Sequence, residues 1–170
     1  MAVTTPRFTR AEYQALPEGF PCELVEGELV KEPSPEYHHQ RVELKIVSRL
    51  VALIGDERVV IAPADVELDE WNVLQPDVAV FDAPLDPHTR RLPIPAVVFE
   101  VLSPSTARRD RVRKTRLYLA AGVREVWLVQ PSSGAVEVHT PDGVAKHAPH
   151  EEVASSALPG FRVTGAALVR

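Results

Sequence analysis

The spacing of apolar and polar positions predicts one long helix and one buried strand. Residues 36–54 carry apolar side chains at helical spacing, and Gly55 follows in a position that commonly ends a helix. Residues 96–102 form an apolar run that is long enough for a buried strand and too short for a typical helix. The apolar positions of the predicted helix are Val42, Ile46, Val47, Leu50, Leu53 and Ile54.

A second helix is predicted after Ser103-Pro104-Ser105, which ends the predicted strand. Ser105 or Thr106 can cap this helix, which then extends to about residue 121. Residues 124–129 form another β-rich run. Residues 97–129 are therefore predicted to form one strand–helix–strand unit.

Shorter elements flank this unit on both sides. Thr9 with Glu12 forms a capping-box pattern that predicts a short helix over residues 10–16, and residues 22–31 predict a hairpin with Gly27 in its turn. The other segments are predicted as β-rich residues 58–68, a loop or edge segment at 69–75, a short strand at 78–81, a loop at 82–95, a hairpin at 135–148 and a last edge element at 158–163.

The order of these elements predicts the fold class. Strands joined by turns come before the strand–helix–strand unit, which favours an α/β (α+β) domain with a mixed central sheet flanked by helices, preceded by an N-terminal helix and hairpin. A length of 170 residues fits a single domain over 1–170 with a substantial core. The apolar content of 45% and the charged content of 25% are those of an ordinary globular protein.

Cysteine usage and hydropathy bear on the compartment. The single Cys22 excludes an internal disulfide bond and fits a reducing environment. No run approaches the apolar length of a membrane span, and residues 1–10 lack the apolar centre of a signal peptide. We therefore expect a cytoplasmic protein with no membrane association.

The charge distribution is uneven. A net charge of -5 argues against broad, non-specific coating of nucleic acid, yet residues 108–116 hold six basic side chains and one acid. Two interpretations of this cluster are open: a solvated helix face, or a patch that faces phosphate. In the second interpretation Arg108, Arg109 and Arg111 are the candidate phosphate-binding residues.

Two carboxylates stand at the ends of apolar runs. Asp77 opens one short strand, and Glu100 interrupts the apolar run 23 positions later. If the two strands are neighbours, the carboxylates approach each other, and a divalent cation relieves their repulsion. Hard oxygen ligands with room for water suit Mg²⁺ or Mn²⁺. The alternative for Asp77 is that it caps a turn after Pro76.

One lysine is suitably spaced to join this pair of acids. Asp110, Lys114 and Tyr118 are four residues apart and so share a helix face. Lys114 can reach toward Glu100, orient or deprotonate a water, and stabilise charge that develops on a phosphate. Tyr118 is expected in the core, with its hydroxyl bonded to a site residue. The alternative for Lys114 is an ordinary helical ion pair with Asp110.

Further candidate side chains are less distinctive. His38 and His39 begin the first long helix and have no partner at zinc spacing, so we interpret them as loop or capping residues. Glu23, Glu26 and Glu28 are interpreted as solvated hairpin charges, with one of them a candidate to face the metal.

These residues carry a resemblance to a known family. Pro76-Asp77 followed by Glu100-Val101-Leu102 resembles the PD-(D/E)xK signature of restriction-endonuclease-like nucleases. More closely, the chain is similar to the Uma family of small bacterial proteins within this superfamily. The segments that resemble it lie between residues 9 and 138 and include residues 22–29, 35–39, 75–78, 99–106 and 121–129, with Asp110, Lys114 and Tyr118.

The resemblance implies a function as well as a fold. It implies a mixed sheet flanked by helices, Asp77 and Glu100 as metal ligands, and Mg²⁺-dependent cleavage of DNA. The lysine of the parent motif should stand two residues after Glu100, where this chain has Leu102. In the Uma family the lysine lies on the following helix, a position that Lys114 matches. The resemblance also implies that Glu28 and His39 lie near the site.

Two functional hypotheses follow. The first is a metal-dependent endonuclease that acts on DNA as a homodimer, since small nucleases of this architecture often pair to cut two strands. Trp71 and residues 84–95 are the candidate apolar contact surface, and no small-molecule cofactor is expected. The second is a nuclease-fold domain that no longer cuts and acts with a partner, which the net acidity favours. The sequence does not distinguish DNA from RNA as the substrate.

Overall fold

The computed structural model describes residues 7–31, 34–103 and 108–170, without the side chains of residues 108–110. The chain-order elements are α1 (Arg10–Gln14), β1 (Cys22–Val25), β2 (Glu28–Lys31), α2 (Tyr37–Ile54), a 3₁₀ turn (Asp56–Arg58), β3 (Val59–Ile61), β4 (Val66–Glu67), β5 (Val73–Leu74), β6 (Val78–Val80), β7 (Val97–Val101), α3 (Arg108–Ala120), β8 (Glu125–Val129), β9 (Val136–Thr140), β10 (Gly143–His147), β11 (Glu152–Ala154), β12 (Arg162–Thr164) and α4 (Gly165–Val169).

Two sheets form the centre of the fold. The larger has six strands in the order β10-β9-β8-β7-β6-β3, and it is mixed because β7 and β8 run parallel while its other neighbours are antiparallel. The smaller has four strands in the order β2-β1-β5-β4. A two-stranded sheet of β11 and β12 follows near the C-terminus. The predicted mixed sheet flanked by helices is confirmed.

Helix α2 covers one face of the six-stranded sheet. Its side chains Val42, Ile46 and Leu50 are fully buried at the predicted helical spacing, and the helix contacts β3, β6 and β7. The same face holds three mutually packed aromatic rings, with centroids 5.3 to 5.6 Å apart. Such rings bury large apolar areas. They belong to Phe99, Trp127 and Phe161.

Helix α3 and the smaller sheet cover the opposite face. There Tyr118 of α3 packs with Val98 and Val126 of the large sheet and with Val25 and Leu74 of the small one. The hairpin of β1 and β2 is joined to α3 by Arg113, whose Nε and Nη2 atoms lie 2.9 Å from Glu26 and 3.1 Å from Glu28. This face therefore brings two sheets and one helix together around a single cluster.

A buried carboxylate fastens the C-terminal segment to β8. Glu125 accepts hydrogen bonds from Trp127 Nε1 at 2.9 Å and Ser155 Oγ at 2.6 Å, and from the backbone N–H groups of Ser156 and Ala157. Burial acts to raise the pKa of Glu125, but these hydrogen bonds outweigh it and hold the pKa below its usual range. The charge is fully satisfied by protein donors.

Several local predictions are confirmed. The capping box of Thr9 and Glu12 starts α1, the hairpin at 22–31 turns at Gly27, and Gly55 follows α2. The turn residues Glu26 and Gly27 have φ values of 51° and 81°, as a two-residue hairpin turn requires. The predicted caps Ser105 and Thr106 lie outside the described residues.

One local prediction was wrong, and two others gain detail. Residues 69–75 contain β5, which lies between β1 and β4 rather than at an edge. The β-rich residues 58–68 divide into β3 and β4, which belong to different sheets. The terminal edge element is a strand of a separate two-stranded sheet, and α4 follows it. Within the described ranges, no helix combines the length and apolarity needed to cross a membrane.

Candidate active site

A cleft of about 870 Å³ lies where the two sheets, α2 and α3 meet. Ionisable side chains from both sheets and from both helices line it. The acids are Glu23 of β1, Glu36 before α2, Glu43 of α2, Asp77 beside β6 and Glu100 of β7, and the basic groups are Lys31, His39, Arg111 and Lys114.

The strand register places the two predicted acids opposite each other. β6 and β7 are antiparallel neighbours in which Val78 pairs with Phe99, so Asp77 and Glu100 occupy the next facing positions of the ladder. Asp77 Oδ2 accepts a hydrogen bond from the backbone N–H of Val101 at 2.6 Å. The side chain of Asp77 is therefore bonded to the neighbouring strand. A residue that only capped the turn after Pro76 would not need this contact.

Glu100 lies in an electrostatically crowded position. Tyr118 Oη donates to Glu100 Oε1 at 2.9 Å, and Lys114 Nζ lies 3.3 Å from the same oxygen. Burial raises the pKa of Glu100 to about 7, because the charges of Asp77 and Glu23 add to the effect of burial while Lys114 and Tyr118 oppose it. At neutral pH this carboxyl group is thus poised between its charged and neutral forms.

Lys114 joins two carboxylates from different sheets. Its Nζ atom lies 2.9 Å from Glu23 Oε1 and 3.3 Å from Glu100 Oε1. Lys114 and Tyr118, four residues apart on α3, both contact Glu100, in agreement with the shared face that their spacing predicts. The alternative pairing of Lys114 with Asp110 concerns a side chain outside the described residues.

His39 contacts Asp77 from α2. Its Nε2 atom lies 3.2 Å from Asp77 Oδ2, which places it beside the acids as the resemblance implied. Burial acts to lower the pKa of His39, but the hydrogen bond to Asp77 and the charges of Asp77 and Glu43 outweigh it and raise the pKa. The Asp77 carboxylate thus stabilises the protonated form of His39.

Glu28, which the resemblance also implied to lie near the site, does not line the cleft. Its carboxylate pairs with Arg113, and its side chain is 57% exposed. The hairpin acid in the cleft is Glu23, which was grouped with Glu26 and Glu28 as a solvated charge. Glu43, one helical turn after His39, is a second lining acid that the sequence analysis did not select, although its i, i+4 relation to His39 was a usable signal.

The predicted phosphate-binding arginines are only partly described. Arg111 lines the cleft, and its Nε is buried without a hydrogen-bond partner in the described part of the chain. The side chains of Arg108, Arg109 and Asp110 lie outside the described residues. Arg113 and Arg116 instead form ion pairs with Glu26 of the hairpin turn.

The carboxylate oxygens of the cleft fit a hard divalent cation that keeps some of its water ligands. Among the described side chains, no group of three or more acidic, histidine or cysteine residues is arranged to hold a metal ion. Asp77 and Glu100 are nevertheless facing carboxylates in an open cleft, and Glu23 Oε2 is buried without a hydrogen-bond partner. Mg²⁺ commonly binds through one or two carboxylates, with water and phosphate oxygens completing its shell.

Comparisons with known proteins give the family and the fold of this chain. The model of the Uma2 family, described as "Putative restriction endonuclease", matches residues 10–166. The chain is also similar to the crystal structure of a putative nuclease belonging to DUF820 from Anabaena variabilis, with a TM-score of 0.84 and 22% sequence identity over 95% of this chain and 97% of that chain. That likeness establishes the fold. No curated protein sequence matches this chain.

Proposed function

Because this chain belongs to the Uma2 family of restriction-endonuclease-like proteins, we propose that it is a divalent-metal-dependent endonuclease that hydrolyses phosphodiester bonds in DNA. One observation carries the proposal. Asp77 and Glu100 face each other on adjacent strands, and Lys114 Nζ lies 3.3 Å from Glu100 within an open cleft. Carboxylates and a lysine in this relation are the equipment of metal-assisted phosphodiester hydrolysis.

Asp77 and Glu100 are the residues that would hold Mg²⁺ or Mn²⁺. A bound divalent ion would polarise the scissile phosphate and lower the pKa of a water molecule. The protein's own contribution is to fix the two carboxylates, since the Val101 N–H orients Asp77 and the Tyr118 hydroxyl orients Glu100.

Lys114 supplies positive charge next to the reacting phosphate. Its Nζ atom lies beside Glu23 and Glu100, so it can stabilise developing charge and orient or deprotonate a water molecule. Arg111 supports the substrate, because its buried Nε has hydrogen-bonding capacity that a phosphate oxygen can use. His39 keeps Asp77 in place and balances part of its charge.

Cleavage assays test the proposal directly. Supercoiled plasmid, single-stranded DNA, branched DNA and RNA are incubated with wild-type protein in Mg²⁺, in Mn²⁺ and in a chelator. We expect metal-dependent cleavage of a DNA substrate that is lost in Asp77→Ala. A folded wild-type protein that cuts none of these DNA substrates with either metal would contradict the proposal.

That negative result would favour the second candidate, a nuclease-fold domain that binds a partner without cutting. The net charge of -5 favours this candidate, since an acidic protein gains little from non-specific attraction to nucleic acid. It predicts binding of a protein or nucleic-acid partner that is insensitive to Lys114→Ala.

We also propose that the endonuclease acts as a homodimer in the cytoplasm. Most of the loop at 84–95 is exposed, and Trp71 is half-buried with the Arg7 guanidinium carbon 4.8 Å from its ring centroid. Arg7 thus covers part of the surface that Trp71 was expected to contribute. Sedimentation at micromolar concentration measures the mass, and a species of one chain's mass alone would contradict the dimer.

A further inference from the structure

Glu23 reaches the cleft from a different sheet than Asp77 and Glu100. Its side chain is fully buried in β1, between β2 and β5 of the four-stranded sheet. Its Oε1 atom accepts a hydrogen bond from the backbone N–H of Gln75 at 2.6 Å and lies 2.9 Å from Lys114 Nζ. Its Oε2 atom is buried and makes no hydrogen bond to the part of the chain that the structure describes.

We propose that Glu23 is the positioning residue for Lys114. The proposal rests on the proposed nuclease function for its catalytic meaning. A lysine side chain has four rotatable bonds, so one carboxylate contact does not define where its ammonium lies. Glu23 and Glu100 bracket the Lys114 ammonium from two sheets and confine it to one place in the cleft.

The backbone makes Glu23 a firm anchor. β1 pairs with β5 through Leu24 and Val73, and the N–H that binds Glu23 Oε1 belongs to Gln75, directly after β5. Gln75 is in turn two residues before Asp77. The anchor for Lys114 and the first predicted metal ligand are therefore placed by the same short stretch of backbone.

A comparison with Glu125 separates this role from a purely structural one. Both carboxylates are buried, but protein donors bond both oxygens of Glu125, whereas one oxygen of Glu23 has no described donor. A buried charge with an unbonded oxygen is costly, and a neutral isostere would keep the Gln75 contact without that cost. The arrangement is therefore poorly suited to stability and well suited to holding a cation.

Four variants test the proposal: Glu23→Gln, Lys114→Met, the double variant, and Glu125→Gln as the matched buried-carboxylate control. Glu23→Gln should lower kcat about a hundredfold, as misplacement of a reacting group typically does, while KM and Mg²⁺ affinity stay close to wild type. The double variant should be no slower than Lys114→Met alone, because the two residues act as one unit. Glu125→Gln should lower Tm and leave kcat of the folded protein unchanged.

An amine-labelling measurement makes the test independent of cleavage. Lys114 should react with a methylating reagent several-fold faster in Glu23→Gln than in wild type, read by mass spectrometry at that residue. Where Glu23→Gln does not fold, Glu23→Asp, which keeps the charge but shortens the reach, should give the same changes in smaller measure. Faster labelling with no wild-type cleavage of DNA would overturn the nuclease function and leave the positioning role standing.

Three outcomes would overturn the positioning role. Unchanged labelling and unchanged kcat would show that Lys114 keeps its place without Glu23. A loss of Mg²⁺ affinity equal to that of Asp77→Ala would make Glu23 a metal ligand instead. Additive losses in the double variant would show that Glu23 acts independently of Lys114.

Discussion

Val101 holds Asp77 across two strands: the backbone N–H of one donates to the Oδ2 atom of the other at 2.6 Å. The contact ties the carboxylate that precedes β6 to the end of β7, one residue after Glu100. Strand pairing thus fixes the separation of the two proposed ligands, because neither backbone can shift without breaking the ladder.

The first prediction concerns metal binding. Asp77→Ala removes one of two facing carboxylates and should weaken Mg²⁺ or Mn²⁺ binding by tenfold or more, about 1.4 kcal/mol. Isothermal titration calorimetry measures the affinity. Asp82→Ala is the control, since Asp82 is paired with Arg124 and does not line the cleft. Equal affinity in wild type and Asp77→Ala would contradict a shared metal site.

The second prediction concerns Lys114. Lys114→Ala removes a charge that stabilises the transition state, and a loss of this kind typically costs about 3 kcal/mol, roughly a hundredfold in rate. The change also leaves Glu23 and Glu100 without their shared cation, so the free energy of unfolding at pH 8 should fall by about 3 kcal/mol. Cleavage rates are therefore compared well below the Tm of the variant.

Lys146→Ala is the matched control for this change. Lys146 pairs with Glu137 at 3.0 Å on the surface, where the loss of an ion pair costs little. Cleavage that persists at the wild-type rate in Lys114→Ala would remove the catalytic role from this lysine.

The third prediction is a pH dependence of stability that comes from Glu100. Its pKa rises from 4.5 to about 7 on folding, so its contribution is fully present below pH 4.5 and is lost as the pH rises through about 7. Glu100→Gln removes this dependence. In metal-free buffer the variant should be more stable than wild type at pH 8, by roughly 1–3 kcal/mol, and similar to wild type at pH 4.5.

Urea unfolding at the two pH values measures this difference. Glu137→Gln is a control in which the change in the pH dependence of stability should have the opposite sign. Burial acts to raise the pKa of Glu137, but Lys146 and His139 outweigh it and lower the pKa. A Glu100→Gln variant that is less stable than wild type at pH 8 would show that the ion pair with Lys114 outweighs the cost of burying the charge.

The fourth prediction concerns Arg111. Arg111→Ala should weaken DNA binding, raise KM more than it lowers kcat, and reduce the slope of log K against log salt by about one. Fluorescence anisotropy at several salt concentrations measures the slope. Arg162→Ala is the control, because Arg162 is an exposed partner of Glu152 on the separate small sheet. An unchanged slope would show that Arg111 does not contact a DNA phosphate.

Local patterns were sufficient to select candidate residues that the structure brings together around Glu100. Glu100 stands out because it is a single charge in an apolar run, and Lys114 and Tyr118 follow at helical spacing. Asp77 and Glu100 are neighbours because β6 pairs with β7. From the sequence alone, this pairing could only be assumed.

The sequence does not single out Glu23 among the three hairpin acids, and the reason lies in the tertiary structure. The hairpin pattern of Cys22-Glu23-Leu24-Val25 suggests a half-exposed strand, but all four residues are buried. β1 is buried because β5 pairs with it, and β5 has only two residues, too few for a pattern of apolar positions. The surroundings of Glu23 thus depend on a contact between segments about 50 residues apart in sequence.

The ion pairs of Arg113 with the hairpin have an evolutionary consequence. The large sheet, the hairpin and α3 each deliver a different part of the cleft, and Arg113 fastens the second to the third through Glu26 and Glu28. Substitutions that loosen this joint can therefore change the spacing of Glu23 and Lys114 during evolution while every strand stays paired.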